Sequence, residues 1–166
     1  FDFGLDNLAR LIRMADFPFV CSNYDFTGTP CEGLVKPYMI IERAGVRVGI
    51  LGVCPQPDGL VTKSNYEPMK YTDPAVAAQP VINLLRNQEH CDLVICLSHL
   101  GLAKGKGYDE DFIARTTGID LLLGGHTHTY LSHPAHAIDK AGHEVMIDHM
   151  GKNGRFVGSM DITLAP

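Results

Sequence analysis

Two stretches of the chain share one pattern. Asp92-Leu93-Val94-Ile95-Cys96-Leu97-Ser98-His99-Leu100-Gly101 and Ile119-Asp120-Leu121-Leu122-Leu123-Gly124-Gly125-His126-Thr127-His128 each hold a short aliphatic run bounded by glycine or polar residues. Apolar runs of this length without alternation predict strands buried on both faces of a parallel sheet. Earlier, Leu5, Leu8, Leu11, Ile12 and Ala15 fall at the spacing of an amphipathic helix over 4–15, and Pro18 to Cys21 reads as a strand. Tyr38–Arg43 and Val46–Val53, joined by Ala44-Gly45, predict a hairpin. From Pro55 to Tyr71 the chain is polar and proline-rich, which predicts a long irregular loop, a feature that tends to be functional. Asp73-Pro74 then places an N-cap and a first-position proline at the start of a helix running to Gln88, with a kink at Pro80.

After the first aliphatic strand comes a Gly/Lys-rich loop over 101–107 and a short helix over Asp109–Thr116. The tail from Ala135 to Leu164 alternates around Lys140-Ala141-Gly142 and Lys152-Asn153-Gly154, predicting three antiparallel strands. These elements give an α/β fold with a mixed sheet flanked by helices, in one domain at 166 residues.

Composition narrows the functional classes. A net charge of -5 argues against a partner that presents a nucleic-acid backbone. No apolar stretch approaches the roughly 20 residues of a membrane span. No leader is visible, and the chain begins at Phe1 rather than Met, which leaves room for an upstream segment. Cys21, Cys31, Cys54, Cys91 and Cys96 show no Cys-x-x-Cys spacing; Cys54 and Cys96 sit in apolar runs, and Cys21 with Cys31 could close a short loop in an oxidising compartment.

The candidate chemistry lies where the two aliphatic strands end. Ligands bind at the carboxyl ends of strands in open α/β sheets, so His99, His126 and His128 converge if those strands are neighbours. Imidazole is the commonest protein ligand for transition metals, and residues two apart on an extended backbone share a side. Glycines at 124 and 125 allow the backbone a sharp turn and close approach to an ion. Three convergent histidines therefore predict a metal site. His133, His136, His143 and His149 lie in or beside the terminal strands and are weak metal candidates; His90 suits a helix carboxyl end. Lys104 and Lys106 lack the Ser/Thr and helix of a P-loop and read as a solvated loop, and Asn153 reads as a turn residue.

Ser98-His99-Leu100-Gly101, Gly124-Gly125-His126-Thr127-His128 and Gly154-Arg155-Phe156-Val157-Gly158 together resemble the calcineurin-like metallophosphoesterases, within them the 5'-nucleotidase group. The likeness extends to Phe1-Asp2, Cys21-Ser22-Asn23 and Val48–Val53, and so covers essentially the whole chain. It implies part of that family's sandwich, and a hydrolase using two divalent ions (Zn, Mn, Fe, Co or Ca). His99 and His126 would hold one ion and His128 the other, with Asp2 orienting the catalytic histidine. The ions would polarise the phosphoryl group and lower the pKa of a bound water to near 7. The family's Asp-x-His, Gly-Asp and Gly-Asn-His-Glu motifs do not occur in this sequence; Phe1-Asp2 matches the residues that follow the last of them. The resemblance thus implies a catalytic domain spanning 1–166 without its amino-terminal motifs and without a carboxyl-terminal nucleotide-binding domain. It further implies a nucleotide or other phosphomonoester as substrate, a periplasmic or extracellular location, and dimerisation or association with a missing amino-terminal segment. The rivals are a non-catalytic module with a vestigial metal site and, among enzymes, a 2',3'-cyclic phosphodiesterase or a sugar phosphatase.

Overall fold

The computed structural model describes residues 1–164. Its helices are α1 (Gly4–Met14), α2 (Pro74–Asn87) and α3 (Asp109–Arg115), with a single 3-10 turn at Lys63–Asn65. Its strands are β1 (Phe19–Val20), β2 (Tyr24–Asp25), β3 (Val35–Lys36), β4 (Tyr38–Arg43), β5 (Val46–Val53), β6 (Lys70–Tyr71), β7 (Leu93–Ser98), β8 (Leu121–Gly124), β9 (Ala135–Ile138) and β10 (Glu144–His149). Six strands form one mixed sheet in the order β4-β5-β7-β8-β10-β9. The central strands β5, β7, β8 and β10 run parallel, while β4 and β9 are antiparallel edges. The α/β class, the hairpin at Ala44-Gly45 and the three helices match the pattern of the sequence.

Asp73 caps α2 as its sequence position requires, accepting from the backbone N–H of Ala75 at 3.0 Å and of Val76 at 3.2 Å. Such a cap contributes about 1 kcal/mol. The helix runs on through Pro80 to Asn87. The ring removes a donor that would have served the Val76 carbonyl, but both residues are exposed, so water can take that place.

Register explains the core. Leu51, Cys96, Leu122 and Ile147 sit side by side in one row across the sheet, fully buried on the face that α2 and α3 cover. The next row points the other way, and there Leu97 and Leu123 remain 43% and 39% exposed. The expectation of strands sealed on both faces is therefore corrected: α2 and α3 both pack on one side. The opposite face meets the Val20 backbone at Gly52 and, farther along, the tail, where Met150, Met160 and Ile162 line a groove with Leu121 and Leu123. A second, smaller core joins α1 to the short strands through Leu5, Ala9, Ile12, Tyr24, Phe26 and Cys31.

The tail supplies a second correction. Two of its three expected strands form, as β9 and β10, but residues 151–164 form none. The residues after β10 cannot fold back onto it as a further hairpin strand, because β10 is bonded to β8 along one edge and to β9 along the other. The 55–71 loop is irregular as expected except for the 3-10 turn and β6, which pairs with β2.

Candidate active site

The strands that end at His99 and His126 are neighbours. β7 and β8 pair in parallel with Ser98 opposite Gly124, so both following loops leave the sheet at the same end. The His99 N–H donates to the Val53 carbonyl at 2.9 Å, which fixes the first residue beyond β7. The rings of His99 and His126 meet edge to face with centroids 5.2 Å apart. They line a cavity of about 340 Å³ together with Phe1, Asp2, Tyr24, Cys54 and the 55–61 part of the long loop. Asp2, His99 and His126 are thus brought together on one cavity. His128 is not among its lining residues, although it lies near enough to act electrostatically on His99.

The backbone that presents His126 and His128 is not the extended one that sequence reasoning assumed. Both residues lie in the left-handed region, with φ of 68° and 57°. That conformation is uncommon for a residue with a Cβ and persists only where the surroundings enforce it. Here the enforcement is visible around Thr127. Its N–H donates to the Gly125 carbonyl at 2.8 Å, and its hydroxyl accepts from Leu102 N–H at 3.0 Å and sits 2.9 Å from the Thr129 hydroxyl. The loop after β8 is thereby pinned to the loop after β7.

Beneath these histidines lies a buried polar chain. Ser98, Gly124 and His149 occupy one row of the sheet on the helix-covered face. Gly124 has no side chain, and the His149 imidazole fills the space: a Cβ at Gly124 would lie 1.9 Å from His149 Nε2. From there Nε2 reaches 2.8 Å to Asp109 Oδ2, while Asp109 Oδ1 accepts the Ser98 hydroxyl at 2.5 Å. Ser98 Oγ also accepts the Leu100 N–H at 3.0 Å, shaping the turn that carries His99. Asp109 is 0% and His149 1% exposed, and His149 Nδ1 has no partner. Gly125 is equally constrained, since a Cβ there would come within 3.1 Å of His99 Nδ1. The two glycines of the motif keep imidazoles in place, one below the site and one in it.

Sequence reasoning gave His149 little weight and took Asp109 only as a helix start. No local signal links them, because the pair is 40 positions apart and meets only through the order of β7, β8 and β10. The other candidates stay apart: His136 and His143 pair with Glu144 and Asp139 on the exposed terminal hairpin.

Electrostatics set the state of His99. Partial desolvation, followed by His126 and His128 nearby, pushes its pKa below the ordinary imidazole value. His99 is therefore neutral at physiological pH, with a ring nitrogen free to act as ligand or base. Among the described residues, no group of three or more His, Cys, Asp or Glu side chains is placed to hold a metal ion. His99 and His126 fit as nitrogen ligands to one ion, but two ions about 3.5–4 Å apart need a carboxylate bridge.

No family model matches the chain. It aligns over 98% of its length, at 26% identity, with an apyrase from Tabanus yao, covering 31% of that protein. With a 5'-nucleotidase from Rattus norvegicus it is 27% identical over 79% of its length and 22% of the relative's. Among solved structures, a 5'-nucleotidase precursor from Thermus thermophilus superposes with a TM-score of 0.75 at 27% identity, over 90% of this chain and 31% of that one. A calcineurin-like phosphoesterase from Bacillus subtilis gives 0.66 at 31% identity, over 80% and 43%. In sequence and in fold the chain resembles the calcineurin-like phosphoesterases of the 5'-nucleotidase group, and it spans less than half the length of each of these relatives.

Proposed function

We propose that this chain supplies the histidine-bearing half of the active site of a metal-dependent phosphomonoester hydrolase acting on nucleotides. The observation that carries this reading is the His99–His126 pair, set edge to face at the carboxyl ends of two adjacent parallel strands and opening on a cavity shared with Asp2. A neutral His99 and a strained His126 are what a preorganised ligand pair requires. His128, next on the same pinned loop, is the third ligand. Asp2 lies at the cavity rim, where it orients a neighbouring group. A two-ion centre also needs carboxylate ligands, which these three histidines do not supply. Names of the relatives favour a nucleotide over a cyclic diester or a sugar phosphate. The resemblance to the 5'-nucleotidase group favours an extracellular or periplasmic location. Among the described residues no helix is long and apolar enough to cross a membrane.

The test uses the full natural polypeptide. It should bind about two divalent ions and hydrolyse AMP, with activity lost to chelation and restored by metal. His126→Ala should lower kcat/KM by more than about 100-fold, beyond the 10–100-fold typical of losing a supporting residue at a metal site. Wild-type turnover in that variant overturns the assignment, and metal-independent inactivity of the unsubstituted polypeptide favours a vestigial module.

A further inference from the structure

The proposed reaction leaves unused a thiol in the wall of the same cavity, Cys54, and a second thiol buried close to it, Cys21. Cys21 and Cys54 lie on adjoining segments, and each shifts the pKa of the other. The segments that carry them run side by side: Ser22 N–H donates to the Gly52 carbonyl at 2.7 Å, and a Cβ at Gly52 would lie 2.3 Å from the Val20 carbonyl oxygen. The Asn23 amide holds both. Its Oδ1 accepts from the Cys54 N–H at 2.8 Å and from the Cys21 thiol at 3.4 Å, and its Nδ2 donates to the Cys54 carbonyl at 2.8 Å. Cys21 is buried, whereas Cys54 lines the cavity beside Asp2, His99 and His126.

The other three cysteines offer no comparable pair. Cys31 shares the smaller core with Cys21, but its thiol turns to the Leu5 carbonyl at 3.5 Å, so the loop closure between Cys21 and Cys31 considered from sequence is not the contact the fold makes. Burial raises the pKa of Cys31, Cys91 and Cys96, which keeps them as thiols. At the pair, the hydrogen bond from Cys54 lowers the pKa of Cys21, and making that bond, together with burial, raises that of Cys54. The pair thus gives up its first proton more readily than a lone buried thiol, and that proton leaves from Cys21.

We propose that Cys21 and Cys54 are a dithiol that closes to a disulfide on the cavity wall by exchange with a small external disulfide. In the first step Cys54 passes its proton to the neighbouring Cys21 thiolate as its own cavity-facing sulfur attacks one sulfur of the external disulfide. That S–S bond breaks, one small thiolate leaves and takes up a proton, and a mixed disulfide remains on Cys54. Cys21 then gives up that proton and attacks Cys54 Sγ as thiolate, forming the protein disulfide and expelling the second small thiolate. Two protein thiols are oxidised, one external disulfide is reduced to two thiols, and the two protons pass to the leaving groups. The bond ties the segment after β1 to the end of β5, beside His99.

The experiment treats the reduced chain with oxidised glutathione, blocks residual thiols by alkylation, and maps the digest without reduction. Cleavage at Tyr24 or Phe26 separates Cys21 from Cys31. The expected result is one intramolecular link joining Cys21 to Cys54, with Cys31, Cys91 and Cys96 alkylated. Cys21→Ser should instead trap glutathione on Cys54, and Cys54→Ser should form no link. A link between other cysteines, a persistent glutathione adduct on Cys54 of the unsubstituted chain, or five unreacted thiols overturns the proposal. The unsubstituted map decides the matter even if a variant fails to fold, and none of these readouts depends on phosphatase activity.

Discussion

The two ends of β7 and β8 are built on different principles. At their amino ends, Asp120 accepts the Val94 N–H at 2.7 Å and contacts Arg86. Arg86 in turn donates to the carbonyls of Gly118 at 2.9 Å, Cys91 at 3.1 Å and Asp92 at 3.2 Å. One guanidinium near solvent thus gathers the loops entering both strands and leaves its own donors used. At the carboxyl ends, Ser98, Asp109 and His149 do the equivalent work out of contact with water, leave His149 Nδ1 without a partner, and support two histidines in left-handed backbone. The first arrangement serves stability cheaply. The second keeps strain and unsatisfied polarity at the candidate site, which is the usual distribution in proteins whose sites are preorganised.

The sharpest way to break this comparison is to remove the carboxylate at each end. Asp109→Ala strips the buried Ser98 hydroxyl and His149 Nε2 of their partner and should cost about 2–5 kcal/mol, since buried polar groups then lose both water and protein contacts. Asp120→Ala, near solvent, should cost only about 1–2 kcal/mol. Urea denaturation midpoints measure both, and equal costs would abolish the distinction.

A smaller effect tests the steric link between Gly124 and His149. Gly124→Ala places a methyl group against the imidazole and should destabilise by about 1–3 kcal/mol, the ordinary cost of overpacking. In a His149→Ala background the same change should cost far less, because the space is then open. A double-mutant cycle reads the coupling directly, and additive costs would mean that His149 does not occupy the glycine's place.

The smallest effect is in pH dependence. The folded-state pKa of His99 lies below its unfolded value of about 6.5, so above that pH neither state binds the proton and the group does not bias folding. As pH falls through about 6.5 the unfolded chain takes up the proton first, and stability declines until the pH passes below the folded pKa. Thermal scans at about pH 7.5 and about pH 5 should show a smaller acid decrement in His99→Gln than in the unsubstituted chain. An unchanged decrement would show that His99 is not held neutral.

Much of this organisation is written locally. The aliphatic runs before His99 and His126, the Ala44-Gly45 hairpin and the Asp73-Pro74 helix start each depend on neighbouring residues, whose periodicity and capping chemistry are set by short-range sterics. The convergence of His99 with His126 was legible because parallel strands that end in the same motif leave the sheet at one end. What the sequence by itself determined is therefore the identity and order of the main elements and the two histidine-bearing loops. The tertiary structure alone decided that the tail does not extend the hairpin from β10, both of whose edges are already taken. It alone brought Cys21 to Cys54 and Asp109 to His149, and bent His126 and His128 into left-handed backbone. The two pairings join residues far apart in the chain, and no local preference encodes them: His149 reaches Asp109 because a glycine in one strand vacates space that a side chain from the next strand fills.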